Sequence, residues 1–229
     1  MSNAVEQAYT VIRMSILDGS ATQNSRLREA SLAKQIGVSR TPVREALRRL
    51  DSEGLVEYLP NRGARVVSYS EQELGEVYDL RALLEAHAAA LAAQHIDAIS
   101  LERLRETATS MERLVDHAAR GSRDEMALLN NQFHHTVIEA GQSERLSRLI
   151  ANVVLNPLIY RCFHLYTPDM LKRSCIHHRE IVAALESRDA SWAAAVMRAH
   201  ILSARAFLLT DQGGLVNLAM NRPESSGGC

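Results

Sequence analysis

Gly37-Val38-Ser39-Arg40-Thr41-Pro42-Val43-Arg44-Glu45-Ala46-Leu47-Arg48-Arg49-Leu50 is the stretch that decides the fold. Val43, Ala46, Leu47 and Leu50 recur at the spacing of one helical face, and Ser39 or Thr41 can cap that helix at its start. Pro42 falls in the first turn, where a missing N–H costs no intrahelical bond. With the apolar face turned inward, Arg40, Arg44 and Arg48 project from successive turns of the other face. Each guanidinium there can hold a phosphate or a guanine edge. The alternative for an arginine row is a solvated face with no partner.

The flanking sequence favours the first reading. Residues 31–36 form a short helix that Gly37 stops, so the order is helix, tight turn, helix, the arrangement that enters the DNA major groove. Downstream, residues 55–59 and 64–67 are β-prone runs around Pro60-Asn61-Arg62-Gly63, a hairpin turn with a basic residue at its tip. Upstream, Val5, Ala8, Tyr9, Ile12, Ile16 and Leu17 give an amphipathic helix that Asp18-Gly19-Ser20 ends. Residues 1–70 are therefore expected to form a three-helix winged helix-turn-helix domain.

Charge is distributed in keeping with that division. The chain has a formal net charge of -1, yet residues 1–70 hold 10 Lys+Arg against 7 Asp+Glu and the remainder 16 against 20. A basic amino-terminal part on an acidic remainder suits DNA binding by one domain only. The sequence has no apolar run long enough to span a bilayer and no signal-peptide order at its start, so no membrane role and a cytoplasmic location are expected. Cys162, Cys175 and Cys229 form no CxxC pair, and the first two are read as reduced packing residues.

From Ser70 onward strand signals vanish. Ser70-Glu71-Gln72-Glu73 reads as a capping box. Helices are expected at about 71–95, 100–119, 123–140, 143–165, 169–187 and 190–210, with Pro157 kinking the fourth. In that fourth helix Leu146, Leu149, Ile150, Val153, Val154, Pro157 and Leu158 are expected to face inward. The fold class is mainly α: the winged domain, then an all-α antiparallel bundle of six or seven helices over residues 71–212, then a flexible Gly/Ser-rich tail at 213–229.

Histidines carry the chemistry of the bundle. Asn130 and His134 are four apart and share a helix face, while His178 and His200 fall at interior-looking positions of two further helices. Three imidazoles and an amide oxygen can hold a metal ion; equally, each His can be a hydrogen-bonded core or surface residue. His135 and His177 point about 100° away from their neighbours and are poor co-ligands. His87, His95, His117 and His164 have no partner in any motif. Arg81 can clamp a carboxylate, or pair with Glu85 four residues on. Asn156 and Tyr160 are further candidates for facing a cavity.

The run Arg26-Leu27, Leu32-Ala33, Ile36 through Leu47 and Gly54-Leu55-Val56 resembles the GntR family of bacterial regulators over the first third of the chain. The resemblance implies contacts to double-stranded DNA from Ser39, Arg40, Thr41 and Arg44, with Arg62 and Gly63 in the wing turn reaching the minor groove. Some members place an arginine where this chain has Ala30, and Arg28 is the substitute two residues earlier. Asn130-Asn131-Gln132-Phe133-His134, His178-Arg179-Glu180-Ile181 and Met197-Arg198-Ala199-His200 resemble the metal motifs of the FCD effector domain of the FadR-type, VanR-like branch. That resemblance implies a divalent ion on Asn130, His134, His178 and His200, zinc foremost, with nickel, cobalt, iron or manganese as further candidates. Asn130 stands where Asp is commoner, which implies weaker binding or dependence on an effector carboxylate. It also implies an Arg81 aimed at the effector.

The expectation is a homodimeric transcriptional regulator, most simply a repressor, on a palindromic operator and under a small carboxylate effector. The rival is a metal-dependent hydrolase or lyase fused to a DNA-binding module. Glu139 and Glu180 are the acids near the histidine motifs, and neither is spaced for an inward pairing. A purely structural ion is the third possibility.

Overall fold

The computed structural model describes residues 3–17, 19–60, 62–116, 122–154 and 156–209. Asn61, His117, Cys229 and the tail expected at 213–229 lie outside the described residues. The chain divides into two compact units, with the boundary between Ser70 and Glu71.

In the first unit, α1 (Asn3–Leu17), α2 (Glu29–Ile36) and α3 (Arg40–Ser52) pack around Ala8, Ile12, Ile16, Val43, Ala46, Leu47 and Leu50, none of which reaches solvent. Gly37 ends α2 in the left-handed conformation (φ 79°), and its N–H returns to the Ala33 carbonyl, which turns the chain into α3 within two residues. The guanidinium of Arg49 on α3 lies 3.6 Å over the Tyr9 ring of α1, and the Tyr9 hydroxyl donates to Glu53. Three strands form the wing: β1 (Arg26–Leu27), β2 (Val56–Leu59) and β3 (Gly63–Val66), in the order β1-β3-β2, all antiparallel. The hairpin is the expected one, with Leu59 opposite Gly63; β1 was not expected from the sequence.

In the second unit, Glu71–Phe207, every element among the described residues is a helix. Its elements are α4 (Glu71–His95), α5 (Ala98–Asp116), α6 (Ser122–Ala140), α7 (Glu144–Val153), α8 (Asn156–Leu165), α9 (Pro168–Glu186) and α10 (Ala190–Leu208). α5 lies against α6 and α9, and α4 against α6, α7 and α9. Buried alanines at 82, 86, 88, 89, 92 and 93 let neighbours approach α4 closely. Thr167 caps α9 by accepting from the Met170 N–H.

The single helix expected at 143–165 is two. Val154 is extended (ψ 112°) after α7, and Pro157 is the second residue of α8, where it favours a helix start. Within α7 Leu146 and Ile150 are buried, but Leu149, expected inward, is 55% exposed. Pro157 and Leu158 have side chains outside the described set. No helix among the described residues is long and apolar enough to cross a membrane.

Candidate nucleic-acid interface and candidate metal centre

Burial of one face of α3 leaves Arg40, Thr41, Arg44 and Arg48 exposed on the other. Ser39 occupies the N-cap position with extended backbone, but its hydroxyl makes no capping bond, and Thr41 lies inside the helix. Arg28 is the exposed N-cap residue of α2, and Ala30 is exposed one residue into that helix. Arg62 is exposed in the wing turn. Gly63, expected at DNA, is instead buried: with φ at +88° its α-carbon abuts the Leu27 carbonyl of β1, so it serves the sheet rather than the surface.

The arginine row is not free. Arg44 Nε and Nη2 donate to the two carboxylate oxygens of Glu29 at 3.0 and 2.9 Å, and the Tyr58 hydroxyl of β2 donates to the same carboxylate at 3.1 Å. Arg44, foremost among these contacts, holds the Glu29 carboxyl below its ordinary pKa. Arg48 lies over the Tyr58 ring at 5.6 Å.

In the second unit, α6, α9 and α10 bring His134, His178 and His200 together in the core, their candidate ligand nitrogens all within 4.8 Å of one another. His134 Nε2 and His200 Nε2 are 3.2 Å apart. Two ligands of a tetrahedral zinc ion are about 3.3 Å apart, given Zn–N bonds of about 2.0–2.1 Å. Both ring nitrogens of His178 and Nδ1 of His200 are buried without a hydrogen-bond partner, a cost that a cation would relieve at one nitrogen of a ring. Desolvation, and then the neighbouring imidazoles, push the pKa of His178 and His200 well down, so both rings are neutral and carry lone pairs at pH 7. This donor set fits a divalent metal. Asn130, 4% exposed, lies one turn before His134 and lines a cavity of about 20 Å³ together with Tyr78, Arg81, Cys162, Ser174 and His200.

The sequence offers Glu85 only as a partner for Arg81, and the structure adds a contact to His134. Glu85, buried on α4, accepts from Arg81 Nε at 2.7 Å and meets His134 Nδ1 at 2.6 Å. Burial raises its pKa, but Arg81 and then His134 outweigh that and hold it down to about 2. A carboxylate on Nδ1 fixes the His134 proton there and leaves Nε2 as the acceptor or metal ligand. Of the two readings of Arg81, the structure contains the ion pair with Glu85, and the same guanidinium also borders the cavity.

The other candidates scatter. Glu139 pairs with exposed His135, and Glu180 is exposed. His87 and His95 are exposed, and His164 pairs with Asp124. His177 is half-buried with its ring 5.7 Å from that of His200, closer to the cluster than its helical position suggests. Cys162 and Cys175 are buried, as expected of packing residues, and Cys162 Sγ is 3.1 Å from the Tyr78 hydroxyl. The side chains of Asn156 and Tyr160 lie outside the described residues.

Residues 4–66 match the model of the bacterial regulatory proteins of the gntR family, and residues 76–203 match that of the FCD domain. The chain belongs to the GntR family of regulators. This GntR regulator is 30% identical over 215 residues to a Paenarthrobacter nicotinovorans protein described as "Probable D-xylose utilization operon transcriptional repressor", with 93% of this chain and 92% of the relative covered. It is 32% identical over 178 residues to the Nta operon transcriptional regulator of Aminobacter aminovorans, covering 77% and 80% of the two chains. The solved structure of Escherichia coli McbR/YncC shares its fold with a TM-score of 0.64 at 23% identity, over 91% of this chain and 98% of that one. GntR proteins of this kind are DNA-binding transcriptional regulators, so the histidine-lined core belongs to a regulator and not to a hydrolase or lyase.

Proposed function

We propose that this GntR regulator is a cytoplasmic repressor that binds a palindromic operator as a homodimer and is controlled by a small carboxylate bound beside a divalent metal. The observation that carries the reading is the buried His134–His178–His200 cluster, continued through Glu85 and Arg81 to the cavity wall. Asn130, His134, His178 and His200 would hold the ion, zinc foremost. The ion would supply a positive charge that attracts an effector carboxylate where Asn130, an amide, supplies none of the opposite sign.

Arg81 is the second attraction for a carboxylate, and Glu85 already occupies it. Glu85 takes the Nε of that guanidinium, so an incoming effector carboxylate would meet its Nη1/Nη2 edge. A cavity of about 20 Å³ admits a single water, whereas small-molecule pockets run to about 300–1,000 Å³. Effector entry thus requires the walls to rearrange, which is the differential state a switch needs; coupling of about 1–3 kcal/mol alters occupancy about 5–150-fold. On the DNA side, Ser39, Arg40, Thr41 and Arg44 would meet base edges and phosphates, flanked by Arg28, Arg48 and Arg62. One chain carries one such helix, and a palindrome is read by two copies.

The test is a thermal-shift screen of dicarboxylates, sugar acids and aromatic acids with and without added Zn²⁺, Ni²⁺ or Mn²⁺. A ligand of the folded state raises the midpoint by mass action. Stabilisation by an acid only when metal is present is the expected result; stabilisation by metal alone, insensitive to every acid, would make the ion structural.

A further inference from the structure

Glu29 is an acid on a surface that otherwise offers Arg28, Arg40, Arg44, Arg48 and Arg62 to a polyanion. On charge alone it opposes DNA binding. Its surroundings are those of a built contact, because the side chain is only 14% exposed and receives three hydrogen bonds, two from Arg44 on α3 and one from Tyr58 on β2. Tyr58 is itself anchored: its backbone N–H donates to Asp51 Oδ1 at 2.8 Å, and Arg48 lies over its ring. Three elements thus converge on one carboxylate.

We infer that Glu29 is a positioning residue for sequence readout, holding Arg44 in the conformation in which it meets a base. The inference rests on Arg44 being a base-contacting residue. A guanidinium has two edges that can each form a bidentate pair, and Glu29 uses the Nε/Nη2 edge. The Nη1/Nη2 edge remains, and two parallel donors of that kind match O6 and N7 of guanine. An unsupported arginine loses rotamer freedom when it binds; one already paired with a carboxylate has lost that freedom beforehand, so the correct base gains affinity. Ala30 beside Glu29 is exposed and uncharged, so α2 contributes charge to this surface through Arg28 and Glu29.

A positioning role and a charge effect have opposite signs, which makes the inference testable with the full-length chain. The probes are a duplex enriched from a random library by the wild-type protein and a scrambled duplex of the same composition, titrated by fluorescence anisotropy at one salt concentration. Glu29→Gln removes a negative charge and should tighten binding to the scrambled duplex. It should weaken binding to the selected duplex about tenfold, so the ratio of the two affinities collapses. Tyr58→Phe keeps the ion pair, guards against a folding defect in the first variant, and should lower the ratio about threefold. In the Glu29→Gln/Arg44→Ala double variant the ratio should equal that of Arg44→Ala alone, because Glu29 acts through Arg44. Glu29→Gln tightening both duplexes equally would reduce the acid to a bulk charge, and a further fall in the double variant would make Glu29 a direct base contact; either overturns the inference. An unchanged ratio in Arg44→Ala would remove the underlying reading of the recognition helix, a failure distinct from both.

Discussion

Glu85 shows how a single buried side chain joins two parts of the core. It neutralises Arg81 and fixes His134 at once, so Glu85→Gln should lower metal affinity about 10–100-fold by isothermal titration calorimetry, while Glu139→Gln on the surface leaves it unchanged. Glu85→Ala, which also strands the buried Arg81, should cost the bundle about 3–5 kcal/mol. At the DNA face, Arg40→Ala and Arg44→Ala should each weaken operator binding by about 1–3 kcal/mol with helicity unchanged; wild-type-like affinity for both at matched salt would unseat the assignment. The three histidines were legible from the sequence because their spacing and flanking residues match a known motif. The pairing of Glu85 with Arg81 was legible too, but its contact with His134 was not, for a physical reason. A carboxylate can be placed inward only if the buried face of its helix is known, and the alanines of α4 run around most of its circumference, so no polar stripe marks the outside.

At the scale of elements, periodicity located the helices but not their ends. The sequence reads as one kinked helix across the seam between α7 and α8 because amphipathic spacing continues through it, and among the described residues the extended backbone at Val154 breaks it. β1 carries two residues, too few for any strand signal, and exists because β3 offers it a partner. Gly63 is where these two strands touch. Gly63→Ala forces a Cβ onto the Leu27 carbonyl at a positive φ, so the winged domain should lose about 2 kcal/mol or more, and with it operator affinity, although position 63 does not reach the surface. The α1–α3 contact gives a pH prediction. Burial foremost, with the Glu53 carboxylate, raises the Tyr9 pKa from 10.0 to about 12. The neutral phenol is the folded form, so its contribution is complete below pH 10 and disappears as pH rises through about 12. Tyr9→Phe should cost about 1 kcal/mol near neutrality and remove that alkaline loss, measured as urea midpoints for both proteins on either side of the phenol's titration.

For the whole molecule, the two units make separate predictions. If Asn130, His134, His178 and His200 hold an ion, elemental analysis should find about one divalent ion per chain, and a chelator should lower the melting temperature of the bundle while the winged domain keeps its own transition. His134→Ala and His178→Ala should each empty the site, and Asn130→Asp should tighten it by adding a carboxylate charge. Unchanged metal content after removal of any two histidines would exclude these ligands. The placement of the ligands along the chain also orders events in time. His134 and His200 are 66 positions apart, and the last of them lies on α10, whereas the helices and strands of the winged domain, α1 through β3, all lie before residue 70. At about 5–20 residues per second of synthesis, roughly 7–26 seconds separate the emergence of the DNA-reading unit from that of the last histidine. A nascent chain can thus finish the part that addresses the genome well before the histidine-lined bundle, and an ion held by all three histidines would mark only chains whose final helix has docked.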